Sequence, residues 1–158
     1  MHFDQHGFLT PYGVIETDFS IFEQVFVSAF PESTTRRALF DGLMEFDECL
    51  QKLLPEGYFQ WIDGSFVTKK LNPADIDLVT FVDYRWYERQ ESAFNELRAW
   101  RFDREKGIDG YFVKIYPEDH PLVNGYRYDK TEWAFTFSKT APKPGHQRRN
   151  KGFIQLTF

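Results

Sequence analysis

The chain has 158 residues, enough for one domain with a real core and no metal or disulfide staple. Its 42% hydrophobic and 27% charged residues exclude intrinsic disorder, and its 19% aromatic content predicts a ring-rich core. A net charge of −5 argues against a positive field for duplex DNA, and the lone Cys49 excludes an intramolecular disulfide and any CxxC zinc or redox site.

In chain order, residues 1–16 read as irregular, with turn signals at Gly7, Pro11 and Gly13. Thr17 or Asp18 is placed to cap a short helix running to about Phe30, which Pro31 ends. Ser33 or Thr34 is placed to cap a second helix, with Arg36 and Arg37 expected on its outer side. Leu39, Leu43, Phe46, Leu50 and Leu53 form its apolar stripe, with Cys49 beside them as a small buried hydrophobe. Pro55-Glu56-Gly57 closes it. Tyr58–Ile62 reads as a strand and Asp63-Gly64-Ser65 as the turn after it. Ile76–Val82 is apolar enough for a central strand.

Residues 86–104 read as a helix, Asp109–Tyr116 as a strand stopped by Pro117, and 118–130 as a loop. Glu132–Ser138 fits helix or strand, and Gly152–Phe158 alternates as a terminal strand. The order predicts an α+β domain over 1–158: N-terminal helices at about 17–54, then a mixed sheet packed against helices at about 58–158.

Charge is uneven. Lys139, Lys143, Arg148, Arg149 and Lys151 fall in a stretch with no acid, broken by Pro142, Pro144 and Gly145. A solvated loop is one reading, and a loop that meets phosphates is the other. The N-terminus lacks the basic and apolar regions of a secretory signal, and no apolar run is long enough to span a membrane. A cytoplasmic protein without membrane attachment is therefore expected.

The chemistry concentrates in Trp61-Ile62-Asp63-Gly64-Ser65, a nine-residue spacer, then Asp75-Ile76-Asp77. On a strand, residues two apart share a face, so Asp75 and Asp77 point the same way. Two such carboxylates repel each other, and a hard divalent cation, Mg²⁺ or Mn²⁺, relieves this. Gly64 lets the backbone approach a ligand closely, and Ser65 adds a hydroxyl beside turn amides able to hold phosphate. Lys69 and Lys70, in the spacer, either touch phosphate or lie in solvent.

This Gly-Ser, spacer, Asp-x-Asp arrangement resembles the signature of polymerase-β-like nucleotidyltransferases. It is most similar to their minimal single-domain bacterial members, through Asp63–Thr68, Pro73–Asp77 and the terminal Lys151-Gly152-Phe153-Ile154. The secure part of the likeness covers residues 61–82. The resemblance implies a nucleotidyltransferase-like sheet. It implies transfer of a nucleoside monophosphate, AMP foremost, from a triphosphate such as ATP to a protein or RNA hydroxyl. A toxin–antitoxin or phage-defence setting, with a toxin or antitoxin partner, goes with it.

It further implies that Asp75 and Asp77 hold metal, that Gly64 and Ser65 hold the β- and γ-phosphates, and that a third carboxylate follows. Asp109 is the candidate for that third position, with Asp103 and Asp83 as rivals. Lys69, Arg148, Arg149 and Lys151 are candidates for the triphosphate or an RNA acceptor. Tyr84, Trp86 and Tyr87 either stack a nucleobase or seat the following helix. A silent binding module of the same fold is the alternative, and a metal-dependent nuclease or phosphohydrolase fits less well.

Other chemistries lack their motifs. There is no P-loop, no G-x-G-x-x-G, and Val67 stands where a G-x-S-x-G elbow needs its last glycine. His2 and His6 flank no general base, and His120 and His146 stand alone.

Overall fold

The computed structural model describes residues 1–158 except Lys143 and His146. Its strands are β1 (His2–Phe3), β2 (Leu9–Thr10), β3 (Gly13–Glu16), β4 (Phe59–Asp63), β5 (Ile76–Asp83), β6 (Ile108–Ile115) and β7 (Gly152–Thr157). Its helices are α1 (Phe19–Glu23), α2 (Arg36–Leu53), α3 (Tyr84–Arg89), α4 (Glu91–Ala99) and α5 (Val123–Phe137). β1 and β2 form a small antiparallel pair, and the other five strands form one mixed sheet in the order β3-β7-β4-β5-β6. The outer pairs β3–β7 and β5–β6 are parallel, and the inner pairs β4–β7 and β4–β5 are antiparallel. This is the expected α+β class.

Each sheet face has its own apolar cluster. Ile62, Ile76, Leu78, Val82, Ile154 and Leu156 face α1, α2 and α4, where Leu39, Leu43, Phe46 and Leu50 supply the expected stripe of α2. Trp61, Val79, Phe81, Val113 and Phe153 face the other way and meet Phe137 of α5. β5 is covered on both faces, which is why it reads as a continuous apolar run.

Several expectations are corrected. Residues 13–16 are not irregular: they form the edge strand beside β7, so the terminal strand lies inside the sheet. The first helix is shorter than expected. Asp18 caps it, accepting from the Ile21 amide at 2.8 Å, but α-helical geometry gives way to a π-helical turn at Gln24–Ser28. The helix expected over 86–104 is α3, α4 and a 3₁₀ turn at Trp100–Phe102.

The segment read as a loop at 118–130 contains most of α5. Tyr126, Lys130, Trp133 and Phe137 recur at helical spacing, but the second position is a lysine. Its ammonium lies 5.4 Å from the Phe59 ring centroid and 5.9 Å from that of Trp61, so a cation–π contact fills a place where an apolar residue would have marked the stripe.

Beneath the sheet, Asp47 of α2 is 2% exposed. Its Oδ1 accepts from Gln60 Nε2 at 2.8 Å, while Oδ2 has no hydrogen-bond partner among the described residues. Burial pushes this carboxyl up to about 7. The folded state therefore holds a proton that the unfolded chain releases near 3.8, and stability falls as pH rises between those values. Asp47→Asn removes that dependence. Relative to the parent, its stability is expected to climb from pH 4 to pH 8 by up to about 4 kcal/mol, measured by urea denaturation across that range. Parallel pH curves for the two proteins would refute it.

Candidate active site

Three aspartates form a row across three adjacent strands. Asp63 ends β4 opposite Asp77 of β5, and Asp77 lies opposite Asp109 of β6. Paired residues share a sheet face and neighbouring strands lie about 4.8 Å apart, so the three carboxylates emerge together on the α5 face. Asp75 precedes β5 by one residue, on the same side by alternation, and is exposed.

The turn after β4 is built around Asp77. Gly64 has φ +79°, the left-handed region, and a Cβ there would overlap Asp77 Oδ2. Beyond it, Thr68 donates to the Ser65 carbonyl from its amide at 3.3 Å and its hydroxyl at 2.8 Å. Gly64→Ala is expected to lower stability by about 1–2 kcal/mol from the left-handed penalty alone and to displace the Asp77 carboxylate. Thermal denaturation checks the first effect and a crystal structure of the variant the second; an equally stable variant with Asp77 unmoved would contradict the close approach.

Behind the turn lies Arg36, expected on the outer side of α2 and found 1% exposed. Nη1 donates to the Phe26 and Phe66 carbonyls and Nη2 to those of Thr68 and Lys70, each at 2.7 Å. The guanidinium lies 3.9 Å over the Phe30 ring. One buried cation thus gathers the chain that follows Gly64-Ser65. Burial lowers its pKa to about 10, which leaves it charged at neutral pH.

Cations face the acidic row. Lys151, 6% exposed, bonds both carboxylate oxygens of Asp63. Arg101 Nε lies 3.4 Å from Asp109 Oδ1, yet Oδ1 makes no hydrogen bond among the described residues. Lys139, Arg148 and Arg149 stand across a cavity of about 1080 Å³, roomy enough for a nucleotide. Their segment folds back on itself: the Thr140 amide donates to the Arg149 carbonyl at 2.9 Å and Arg148 Nε to the Thr140 carbonyl at 2.8 Å.

Like charges are crowded along this row. Burial, then the charges of Asp75 and Asp109, push Asp77 up to about 6, against the pull of Lys151. Burial also raises Asp63, opposed by Lys151 and by the Gly64 amide. Among the described residues no three His, Cys, Asp or Glu side chains are gathered closely enough to hold a metal by themselves. Mg²⁺ does not require that, since one or two carboxylates with substrate phosphates and water complete its shell. Asp75 and Asp77, with the unsatisfied Oδ1 of Asp109, fit that requirement.

Of the residues expected from sequence, Gly64, Ser65, Asp75, Asp77, Asp109, Arg148, Arg149 and Lys151 all line this cavity. Lys69 does not: its ammonium lies 5.8 Å from the Phe3 ring centroid, and its amide donates to the Gly7 carbonyl at 3.0 Å. Lys70 is exposed, and its carbonyl is one of those held by Arg36. Asp83 sits at the far end of β5, bonded by Arg85, and Asp103 accepts from the Glu105 amide in an exposed turn. Neither belongs to the row.

Tyr84, Trp86 and Tyr87 also lie at that far end. Tyr84 stacks on Tyr116 at 4.8 Å, and Tyr87 is buried against Phe94 at 4.6 Å, so they seat α3 and α4. His6 meets Arg149 at 2.8 Å and His120 caps the Leu122 amide at 3.1 Å. Lys143 and His146 lie outside the described residues.

Sequence reasoning missed Asp63, Arg101, Arg36 and Trp133. The signal for Asp63 was present: extending the β4 alternation by one residue puts it on the face of Trp61. Arg101, Arg36 and Trp133 carry no local signal, because their roles depend on segments distant in the chain.

The chain matches the Family of unknown function (DUF6932) over residues 1–157. No curated protein and no solved structure matches it. Among the described residues no helix is long and apolar enough to cross a membrane.

Proposed function

We propose that this chain, which belongs to the DUF6932 family, is a metal-dependent nucleotidyltransferase. It would move a nucleoside monophosphate, AMP foremost, from a triphosphate to a protein or RNA hydroxyl. The observation that carries this reading is the row Asp63–Asp77–Asp109 beside a left-handed Gly64 with no room for a Cβ. The likeness of Gly64-Ser65 and Asp75-x-Asp77 to the nucleotidyltransferase signature supports it. A toxin–antitoxin or phage-defence setting is part of the same proposal.

In this reading Asp75, Asp77 and Asp109 would hold Mg²⁺ or Mn²⁺, which when bound would offset charge on the α-phosphate and on departing pyrophosphate. The Gly64-Ser65 turn receives the β- and γ-phosphates, and Arg148 and Arg149 face them across the cavity. Lys151 keeps Asp63 neutralised, so the buried end of the row adds little repulsion to an incoming triphosphate. Asp109 takes the proton of the acceptor hydroxyl. The hydroxyl oxygen then bonds the α-phosphorus, the bond to the bridging α–β oxygen breaks, and that oxygen leaves with pyrophosphate.

The test is incubation with α-labelled and γ-labelled ATP in Mg²⁺, with RNA and protein pools as acceptors. The expected result is label on an acceptor from the α position only, matched by pyrophosphate. Inorganic phosphate without pyrophosphate would replace this reading with a phosphohydrolase. One observation favours the silent-module alternative: Arg101 stands against Asp109, partly cancelling the third carboxylate. That alternative predicts Mg²⁺-dependent nucleotide binding with no transfer.

A further inference from the structure

Two rings on the cavity wall, Tyr111 and Trp133, have no part in the phosphate chemistry. Tyr111 follows Asp109 by two residues on β6, so it shares the face of the acidic row and lies about 6.6 Å farther along the strand. Arg101 fixes it from behind, donating to its phenol oxygen with the guanidinium 4.0 Å from the ring centroid. Trp133 comes from α5. Its ring lies 4.8 Å from Tyr111 at 55° and 5.3 Å from Phe137, edge to face. Both rings are half-buried and line the cavity. Thr136, about one turn after Trp133, and Thr140 bring hydroxyls to the same wall, able to donate or accept.

We infer that Trp133, braced by Tyr111, is the platform on which the substrate's nucleobase stacks, and that the base is a purine. This rests on the nucleotidyltransferase reading and gives its AMP preference, which the resemblance alone implied, a physical seat in this chain's own residues. A phosphate held near Asp77 and Asp109 would leave the ribose to span the step along β6 towards Tyr111, against which Trp133 packs. An indole overlaps a two-ring base more fully than a one-ring base, and stacking on an aromatic side chain contributes in proportion to such overlap. The aromatics that follow β5 in sequence are used up in seating α3 and α4, at the opposite end of the strand.

The experiment is calorimetric titration of the whole protein with ATP, CTP and inorganic tripolyphosphate, each in excess Mg²⁺. The parent is expected to bind ATP at least tenfold more tightly than tripolyphosphate, with CTP between them. Trp133→Leu is expected to weaken ATP about tenfold and to hold tripolyphosphate within twofold. Trp133→Phe is expected to recover most of the loss.

Trp133→Leu binding ATP like the parent would overturn the platform, as would a parent that binds ATP no better than tripolyphosphate. Equal loss of both ligands in the leucine and phenylalanine variants would mark Trp133 as a packing residue and overturn it too. CTP bound as tightly as ATP would overturn the purine preference. A parent that binds neither ATP nor tripolyphosphate would instead sink the nucleotidyltransferase reading itself, and the platform with it.

Discussion

Asp77→Asn is expected to cut label transfer from α-labelled ATP by at least about 10³-fold, some 4 kcal/mol of barrier, while making the metal-free protein more stable. The two halves have one cause. Asp77 stands mid-row, opposite Asp63 and Asp109, with Asp75 two residues away. Burial, then the charges of Asp75 and Asp109, push it up to about 6. The folded carboxyl therefore holds its proton more tightly than the unfolded one, whose ordinary value is 3.8. Between those values the folded state binds more protons, so stability falls as pH rises and levels off above them.

Asparagine keeps the shape and removes the charge. In EDTA at pH 8, Asp77→Asn is expected to gain about 1–2 kcal/mol over the parent, a gain that fades towards pH 4. Denaturation curves at both pH values, alongside the transfer assay, check the pair. A variant that transfers as much label as the parent would end the proposed mechanism. One that loses activity and stability together would point to a structural role for Asp77.

Arg36→Met is expected to destabilise the fold by about 4 kcal/mol. Arg36 donates four hydrogen bonds at 2.7 Å to carbonyls from two distant segments of chain, Phe26 and Phe66–Lys70. Methionine fills much of the volume but leaves the Phe26 and Phe66 carbonyls buried without a donor. Each such loss costs about 1–3 kcal/mol, and the losses are not additive. Against a total stability of roughly 5–15 kcal/mol, that is a lowering of the melting temperature of about 12 °C.

Arg36→Lys is expected to recover little, since an ammonium lacks the planar fork that reaches four carbonyls at once. Because the Phe66–Lys70 backbone continues directly from Gly64-Ser65, Arg36→Lys is also expected to raise the KM for ATP more than it lowers kcat. A melting temperature for Arg36→Met within 2–3 °C of the parent would mean that water replaces the guanidinium at these carbonyls.

The α2 stripe, the β5 run and the Gly64-Ser65 and Asp75-x-Asp77 positions were legible because each is written in adjacent residues, as period, continuity or spacing. α5 was not, since Lys130 occupies a stripe position through a cation–π contact that only the sheet beneath it makes favourable. Arg36 was misread for a related reason. An arginine beside Arg37 at a helix start reads as solvated unless distant carbonyls are known to converge on it.

The charge of the chain is ordered in the same way. The net charge of −5 conceals an acidic row that the fold interleaves with its own cations, Lys151 on Asp63 and Arg101 beside Asp109. By itself the sequence determined the α+β class, the central strand and the Gly-Ser and Asp-x-Asp elements, because local periodicity and turn chemistry act over a few residues. Only the tertiary structure decided that Asp63 joins the row, that Arg36 holds the turn and that Trp133 faces the cavity. Strand register and helix docking are set by burying two apolar faces at once, and no short stretch of chain carries that information.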